Sequence, residues 1–341
     1  MARTEIRIIS NIIGLDGASG KGLKVKLIPY PKEDIGVFSI FRLFLKSFSC
    51  DYIILNFNSF DFFVLAFFKL IFFFNRCRLV TLDLFLLQPE NLKEKINRLI
   101  KILLLRRAYR FLVYSRNNKG YEIHYRIPGE KFVYVPYKVN ALNLIQKTAT
   151  ADAGYIFCGG KSRRDFNALF DAVRENRLPV KIVTVDNREL QRHGSFLDEK
   201  AAPENVEIVR HDGSVGRFVE IMANSRMVVI PIKKDIITQA GIAVYLMAMA
   251  LKKCVIISSG PGVDDVLPEG AAVIVPPGNV AALRQAMERI YQDQAERERV
   301  TRAGYDYAMS LKGIISMQEA IENFIYDDYI AWRRLRLPQN S

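Results

Sequence analysis

The chain has 341 residues, 50% of them apolar and 25% charged, and carries a formal net charge of +13. This is ordinary composition for a folded chain, long enough for one or two domains that each bury a core. Four cysteines, Cys50, Cys77, Cys158 and Cys254, have no paired spacing and no C-x-x-C. That excludes a zinc ribbon and a disulfide framework, and buried reduced thiols in a cytosolic protein are expected.

The charge is uneven. Residues 1–150 hold 24 Lys and Arg against 11 Asp and Glu, a net +13, whereas residues 151–341 hold 25 against 25, a net of zero. Sixteen of the 22 Phe also lie in the first 150 residues. A basic, Phe-rich half joined to a neutral half predicts two domains with different partners, the basic one facing something anionic.

In chain order, residues 1–10 carry charges and no long apolar core, so no signal peptide is expected. Residues 6–9 read as a strand. The Gly-rich stretch 14–22 is not a phosphate-binding P-loop, because it lacks G-x-x-x-x-G-K-[ST]. Residues 23–29 and 52–56 read as strands, with a helix over 38–48 between them. Residues 61–74 are the most apolar stretch. At about 14 residues, with Lys69 inside, it is too short to span a bilayer. It is expected to be buried or to dip into a membrane face with Phe67, Phe68 and Lys69.

Residues 78–82 form a strand ending at Asp83. Residues 92–114 give a long basic amphipathic pattern, with Lys93, Lys101, Arg106, Arg107 and Arg110 among apolar residues. Such a helix is the signature of attachment to anionic lipid. No helix-turn-helix, zinc or RNA-binding motif is present, so no nucleic-acid partner is expected.

Residues 125–136 read as a turn and strand, and 141–153 as a polar interdomain linker where hinge motion is expected. Strands then follow at 154–158, 180–185, 206–209, 227–232, 254–258 and 273–275. Helices are expected at 165–175, 217–224, 241–251 and 280–292, and from there to 336. Strand alternating with helix in both halves predicts two doubly wound α/β domains. The strand 227–232, its loop and the helix from Gly241 form a βαβ unit whose helix N-terminus suits a phosphate.

The stretches IFCGGKSRRDFNALFDA (156–172), SRMVVIPI (225–232), AGIAVYLMAMALKKCVIISSGPGVDDVL (240–267) and AAVIVPPGNVAALRQAM (271–287) resemble the C-terminal domain of family 4-like, group 1 glycosyltransferases. The likeness is weaker over 75–140 and poor over 1–60. It implies the GT-B fold: two Rossmann-like domains facing across a crevice, with a C-terminal helix crossing back. The implied domains are 1–145 for the acceptor and the membrane, 150–312 for the nucleotide sugar, and a returning segment 313–341.

The implied activity is metal-independent and cofactor-free transfer from a nucleoside diphosphate sugar, UDP- in preference to GDP-. The acceptor would be a lipid-linked or polysaccharide hydroxyl at the cytoplasmic face of the cell membrane. On the donor side, Gly159 and Gly160 let backbone N–H groups approach a pyrophosphate. Lys161, Arg163 and Arg164 supply charge, and Gln239, Ala240, Gly241 and Ile242 present the helix N-terminus. Asp186, Arg210 and His211 are candidates for the base.

The family has a carboxylate pair seven residues apart where this chain has Gln239 and Met247. Met247 cannot accept from a ribose diol. Either ribose recognition moves, with Tyr245 the candidate, or donor chemistry is lost and the chain is a non-catalytic partner subunit. A purely structural membrane protein and a GT-B epimerase are further rivals. Asp83 is the first candidate for the catalytic base and Asp16 the second.

Overall fold

The computed structural model describes residues 5–12, 15, 24–29, 36–57, 59–89, 91–211 and 213–334. Asp16 lies outside the described residues. The chain divides into two compact units, residues 1–136 with 317–341, and residues 137–316. The segment 141–153 therefore belongs to the second unit.

The first unit is a six-stranded parallel sheet: β1 Glu5–Ser10, β2 Lys24–Pro29, β3 Tyr52–Asn56, β4 Arg78–Leu82, β5 Arg110–Val113 and β6 Phe132–Tyr134. Its order is β2-β1-β3-β4-β5-β6. In β3 and β4 almost every residue is buried, as expected of strands covered on both faces.

Among the described residues four helices connect these strands: α1 Val37–Ser47, α2 Ser59–Ile71, α3 Leu92–Leu105 and α4 Lys119–Tyr125. They pack in succession, α1 on α2, α2 on α3 and α3 on α4. With right-handed crossovers, this makes a single layer over one face of the sheet.

Two expectations change here. The pattern 92–114 is not one helix. α3 closes at Leu105, and by Tyr109 the chain is pairing with β4 through Tyr109 N–H to Leu79 O, 2.7 Å. Arg110 is thus a strand residue, its guanidinium over the Tyr109 ring. Nor does Lys69 face a membrane. It is buried, and its Nζ donates to the carbonyls of Asn75 (3.2 Å) and Cys77 (2.6 Å) and to the Asn75 side chain (3.1 Å). The three bonds let an ammonium be buried by closing the turn from α2 into β4.

The second unit repeats the plan: β7 Ile156–Gly159, β8 Val180–Thr184, β9 Val206–Arg210, β10 Met227–Ile230, β11 Cys254–Ser258 and β12 Val273–Val275, ordered β12-β11-β10-β7-β8-β9, all parallel. A short α5, Leu142–Ile145, precedes β7. The others are α6 Phe166–Asn176, α7 Asn187–Arg192, α8 Val215–Ala223, α9 Ile242–Ala250, α10 Val280–Gln292 and α11 Gln294–Ser310. Eight of the nine residues of α9 are buried, so it is a core helix, apolar all round. Gly304 makes room for α11 against it: a Cβ there would lie 2.8 Å from Ala271 O and 3.0 Å from Met249.

The last helix, α12, Ile315–Arg334, belongs to the first unit from Met317 on. There Asp328 accepts from Tyr52 (2.6 Å), Tyr109 (2.5 Å) and Arg78 (2.7 Å). Arg78 lies over the rings of Tyr52, Tyr109 and Trp332. The four cysteines are free and buried.

Candidate active site

In the second sheet the strand order reverses between β7 and β10, so their carboxyl ends open the crevice where a doubly wound sheet takes its ligand. Gly159 ends β7. A Cβ there would lie 2.5 Å from the Phe157 ring and 2.9 Å from that of Phe218, two rings packed edge to face. Gly160 follows with φ +95°. A Cβ on it would sit 2.5 Å from Arg164 Nη2 and 3.1 Å from Val244 in the first turn of α9. The turn after β7 and the start of α9 therefore meet at a position only glycine fits.

Arg164 is 1% exposed. Its Nε donates to Gly159 O and its Nη1 to Ser162 O, each at 2.9 Å. Burial pushes its pKa down to about 10, which still leaves it charged at neutral pH. Among the described residues no carboxylate forms an ion pair with it. A buried cation held only by carbonyls is costly unless an anion joins it.

Ser195, which sequence reasoning did not single out, fixes the turn. Its Oγ accepts from Arg164 N–H and donates to Lys161 O, both at 2.7 Å. The signal was the Gly194-Ser195 pair closing α7. Ile232, just beyond β10, forms an antiparallel bridge with Arg164, and Lys233 N–H donates to Arg163 O at 3.0 Å.

The other cations of the turn are engaged differently. Lys161 Nζ pairs with Glu189 at 2.8 Å, and that lysine holds the Glu189 carboxyl down to about 2. His193 stands 3.3 Å from the same carboxylate, its pKa lowered chiefly by burial. Arg163, at φ +55°, runs along Gly194, where a Cβ would come within 2.8 Å of its Cδ and Nη1. So the structure brings Arg164 to Gly160, ties Lys161 to α7 and lays Arg163 along Gly194.

Gly241 caps α9 at φ +87°, with a Cβ position 3.1 Å from Ile230 and 3.3 Å from Ile257. The first N–H groups of α9 have no partner inside the helix and carry its positive end. Gln239 and Ala240 are buried just before it, and Ile242 packs against Gly262. Tyr245 is 1% exposed and its hydroxyl donates to Gly262 O at 3.0 Å. That hydroxyl holds the loop after β11, which corrects the expectation that it replaces the missing carboxylate toward a ribose. Met247 is buried in α9.

At the ends of β8 and β9, Asp186 caps α7, its carboxylate accepting from Glu189 N–H at 2.9 Å. Arg210 bonds Val185 O and the Glu199 carboxylate. Both serve the protein's own framework. His211 keeps an open role: its Nδ1 accepts from Gly213 N–H at 2.7 Å, and its half-buried ring stands 5.5 Å from that of Phe218.

In the first unit, Asp83 follows β4 at φ +64°, a conformation costing roughly 1–2 kcal/mol for a residue with a Cβ. Its N–H donates to Leu112 O at 2.9 Å. The loop beyond is pinned from α4, where the hydroxyls of Tyr121 and Tyr125 donate to Leu84 O and Leu87 O, each at 2.6 Å. Strain held by surrounding structure at a carboxyl strand end is consistent with a functional carboxylate.

Residues 139–293, which contain the glycine turn, Arg164 and α9, match the family described as glycosyl transferases group 1. That match covers most of the second unit. No curated protein sequence matches the chain significantly. Solved structures share the fold of the chain over nearly its whole length. Sucrose-phosphate synthase from Thermosynechococcus elongatus is 15% identical, with a TM-score of 0.66 over 96% of this chain and 100% of that one. Anabaena HepE, solved with UDP and glucose, is 14% identical, with a TM-score of 0.63 over 94% and 99%. A glycosyltransferase from Rickettsia africae is 12% identical, with a TM-score of 0.61 over all of both chains. The fold is GT-B, two doubly wound α/β domains.

Proposed function

We propose that this glycosyltransferase moves a sugar from a UDP-sugar to a hydroxyl of a lipid-linked or polysaccharide acceptor at an anionic membrane face on the cytoplasmic side. The observation that carries the donor half is Arg164, a buried cation whose guanidinium, among the described residues, bonds carbonyls and no carboxylate, set against Gly160 and the start of α9. A diphosphate supplies the missing anion. It would receive backbone N–H groups from the glycine turn, charge from Arg164, and the positive end of α9. As the sugar leaves, negative charge grows on the diphosphate oxygens, and a fixed cation there stabilises the departing group. Lys161 can join it by exchanging Glu189 for a phosphate.

UDP is favoured because HepE, which shares the fold, was solved with UDP and glucose. The half-buried rings of His211 and Phe218 offer a face for a pyrimidine. Gln239 remains the candidate for a sugar hydroxyl. On the acceptor side Asp83 is the candidate base, with its strained backbone as support.

Thermal unfolding with UDP, GDP, ADP and CMP at millimolar concentration tests the donor assignment. A nucleotide at about 100 times its Kd adds roughly 2.7 kcal/mol, and UDP is expected to give the largest rise. A larger rise with another nucleotide would replace UDP in this reading. No rise with any would favour a non-catalytic subunit, the reading that Met247 in place of a carboxylate supports.

A further inference from the structure

The helix layer of the first unit is built with two apolar faces where a soluble layer has one. α1 buries Ile40, Leu43 and Phe44 against the sheet, and α2 buries Phe62, Leu65 and Ala66. The outward faces are apolar again. On α3, Leu92 (74%), Ile96 (55%), Leu99 (60%), Ile100 (58%) and Leu103 (45%) are exposed. Their spacing of four, three, one and three residues makes one stripe along the helix. Phe38 and Leu45 on α1, and Phe67 and Ile71 on α2, are exposed beside it, with Phe73 and Phe74 just past α2. Because α1, α2 and α3 pack side by side, these stripes share one surface. A contiguous apolar surface of this kind marks an interaction site.

Charge says what covers it. The outward polar positions of α1 and α3 include Arg42, Lys46, Lys93, Lys95 and Arg106, all exposed, against a single acid, Glu94. A second copy would bring the same cations face to face. A bilayer with anionic headgroups accepts both parts: acyl chains take the stripe and headgroups take the cations.

We infer that the outer face of α1–α3 lies flat on an anionic lipid surface and thereby selects a lipid-linked acceptor with a short headgroup. The second half rests on reading the Asp83 edge as the acceptor side. Helices that connect parallel strands lie along the sheet, so docking by their outer face lays the strands parallel to the membrane. The carboxyl edge of the sheet, with Asp83 and Asn56, then faces along the membrane rather than away from it. It stands one helix layer up, roughly 10–15 Å from the apolar boundary. The headgroup zone itself is roughly 5–8 Å deep. A hydroxyl one or a few sugars beyond a lipid phosphate reaches that height.

The test is flotation of the full chain with phosphatidylcholine vesicles, with and without a quarter of phosphatidylglycerol. The protein is expected to float with the anionic vesicles and to be released by salt. The paired change Ile96→Ser, Leu99→Ser removes two exposed side chains, so folding is retained, and is expected to lower partition at least tenfold. The matching change Leu144→Ser, on the exposed α5 of the second unit, is expected to change nothing.

Energy transfer from a dye at Asn56→Cys to headgroup-labelled lipid then reads the height of the sheet edge, since the native cysteines are buried. Three results would overturn the inference. One is equal binding by the paired variant, and another is an edge standing beyond roughly 30 Å. The third is a dimer that the paired variant dissociates, with no vesicle binding. None of these readouts uses donor or turnover, so they fail independently of the UDP assignment.

Discussion

Arg78 of the first unit and Arg164 of the second are both withdrawn from solvent, and the two are treated in opposite ways. Arg78 of the first unit is neutralised by Asp328 at 2.7 Å and packed among the rings of Tyr52, Tyr109 and Trp332. Arg164 of the second unit is more deeply buried, and among the described residues its guanidinium bonds only carbonyls. The first has every partner a structural cation needs. The second is left short of an anion at the crevice of its sheet. Burial alone therefore does not tell a fastening from a binding group; the completeness of the partner set does.

Breaking this contrast gives the largest effects. Arg164→Met is expected to abolish nucleotide-dependent stabilisation, a loss of at least about 100-fold in affinity, or roughly 2.7 kcal/mol. It should leave the ligand-free protein within about 1.5 kcal/mol of its original stability, because removing a poorly compensated buried ion is often nearly neutral. Calorimetry with and without UDP reads both numbers. Retained affinity would return Arg164 to a structural role.

Asp328→Asn is expected to do the reverse. Nucleotide binding stays, while the first unit loses about 3 kcal/mol through an uncompensated Arg78. Urea denaturation measures that loss.

The third prediction uses a buried cation whose partner set is also incomplete. Lys253 donates to Ala151 O and Ser225 O, each at 2.7 Å, and burial lowers its pKa to about 8. The unfolded chain holds that proton up to its ordinary value of about 10.4. Between these values the unfolded state binds more protons, so stability rises with pH. A gain of about 2 kcal/mol from pH 8 to 10 is expected for the wild type and its absence in Lys253→Met, followed by thermal melts across that range.

Most of the sheet framework was legible in the sequence, because buried parallel strands such as Met227–Ile230 and Cys254–Ser258 are unbroken apolar runs between turn residues. The helix that ends at Leu105 was read too long. Arg106, Arg107 and Ala108 are good helix formers, and only pairing of Tyr109 with Leu79 stops it. Short helices such as α4 and α7 lack a periodic stretch long enough to register. At the site, Gly160 and Arg164 were legible as types in a pattern. That Arg163 turns to Gly194, Lys161 to Glu189 and Tyr245 to Gly262 was not, since each depends on a contact remote in sequence. Lys69 misled for the same reason: a lysine in an apolar helix reads as an edge of the bilayer until its three acceptors are known.

The bonds from Asp328 to Tyr52, Arg78 and Tyr109 also bear on the order in which the protein is made. The early strands of the first unit emerge from the ribosome by residue 136, and their clasp lies beyond Met317, 181 residues later. At roughly 5–20 residues per second the unit waits on the order of 10–40 s for its last piece. A nascent chain stalled after Ser316 is expected to be cut by protease within residues 1–136 while 137–316 resists. During that interval the Phe-rich helices are already present without the clasp that closes their sheet.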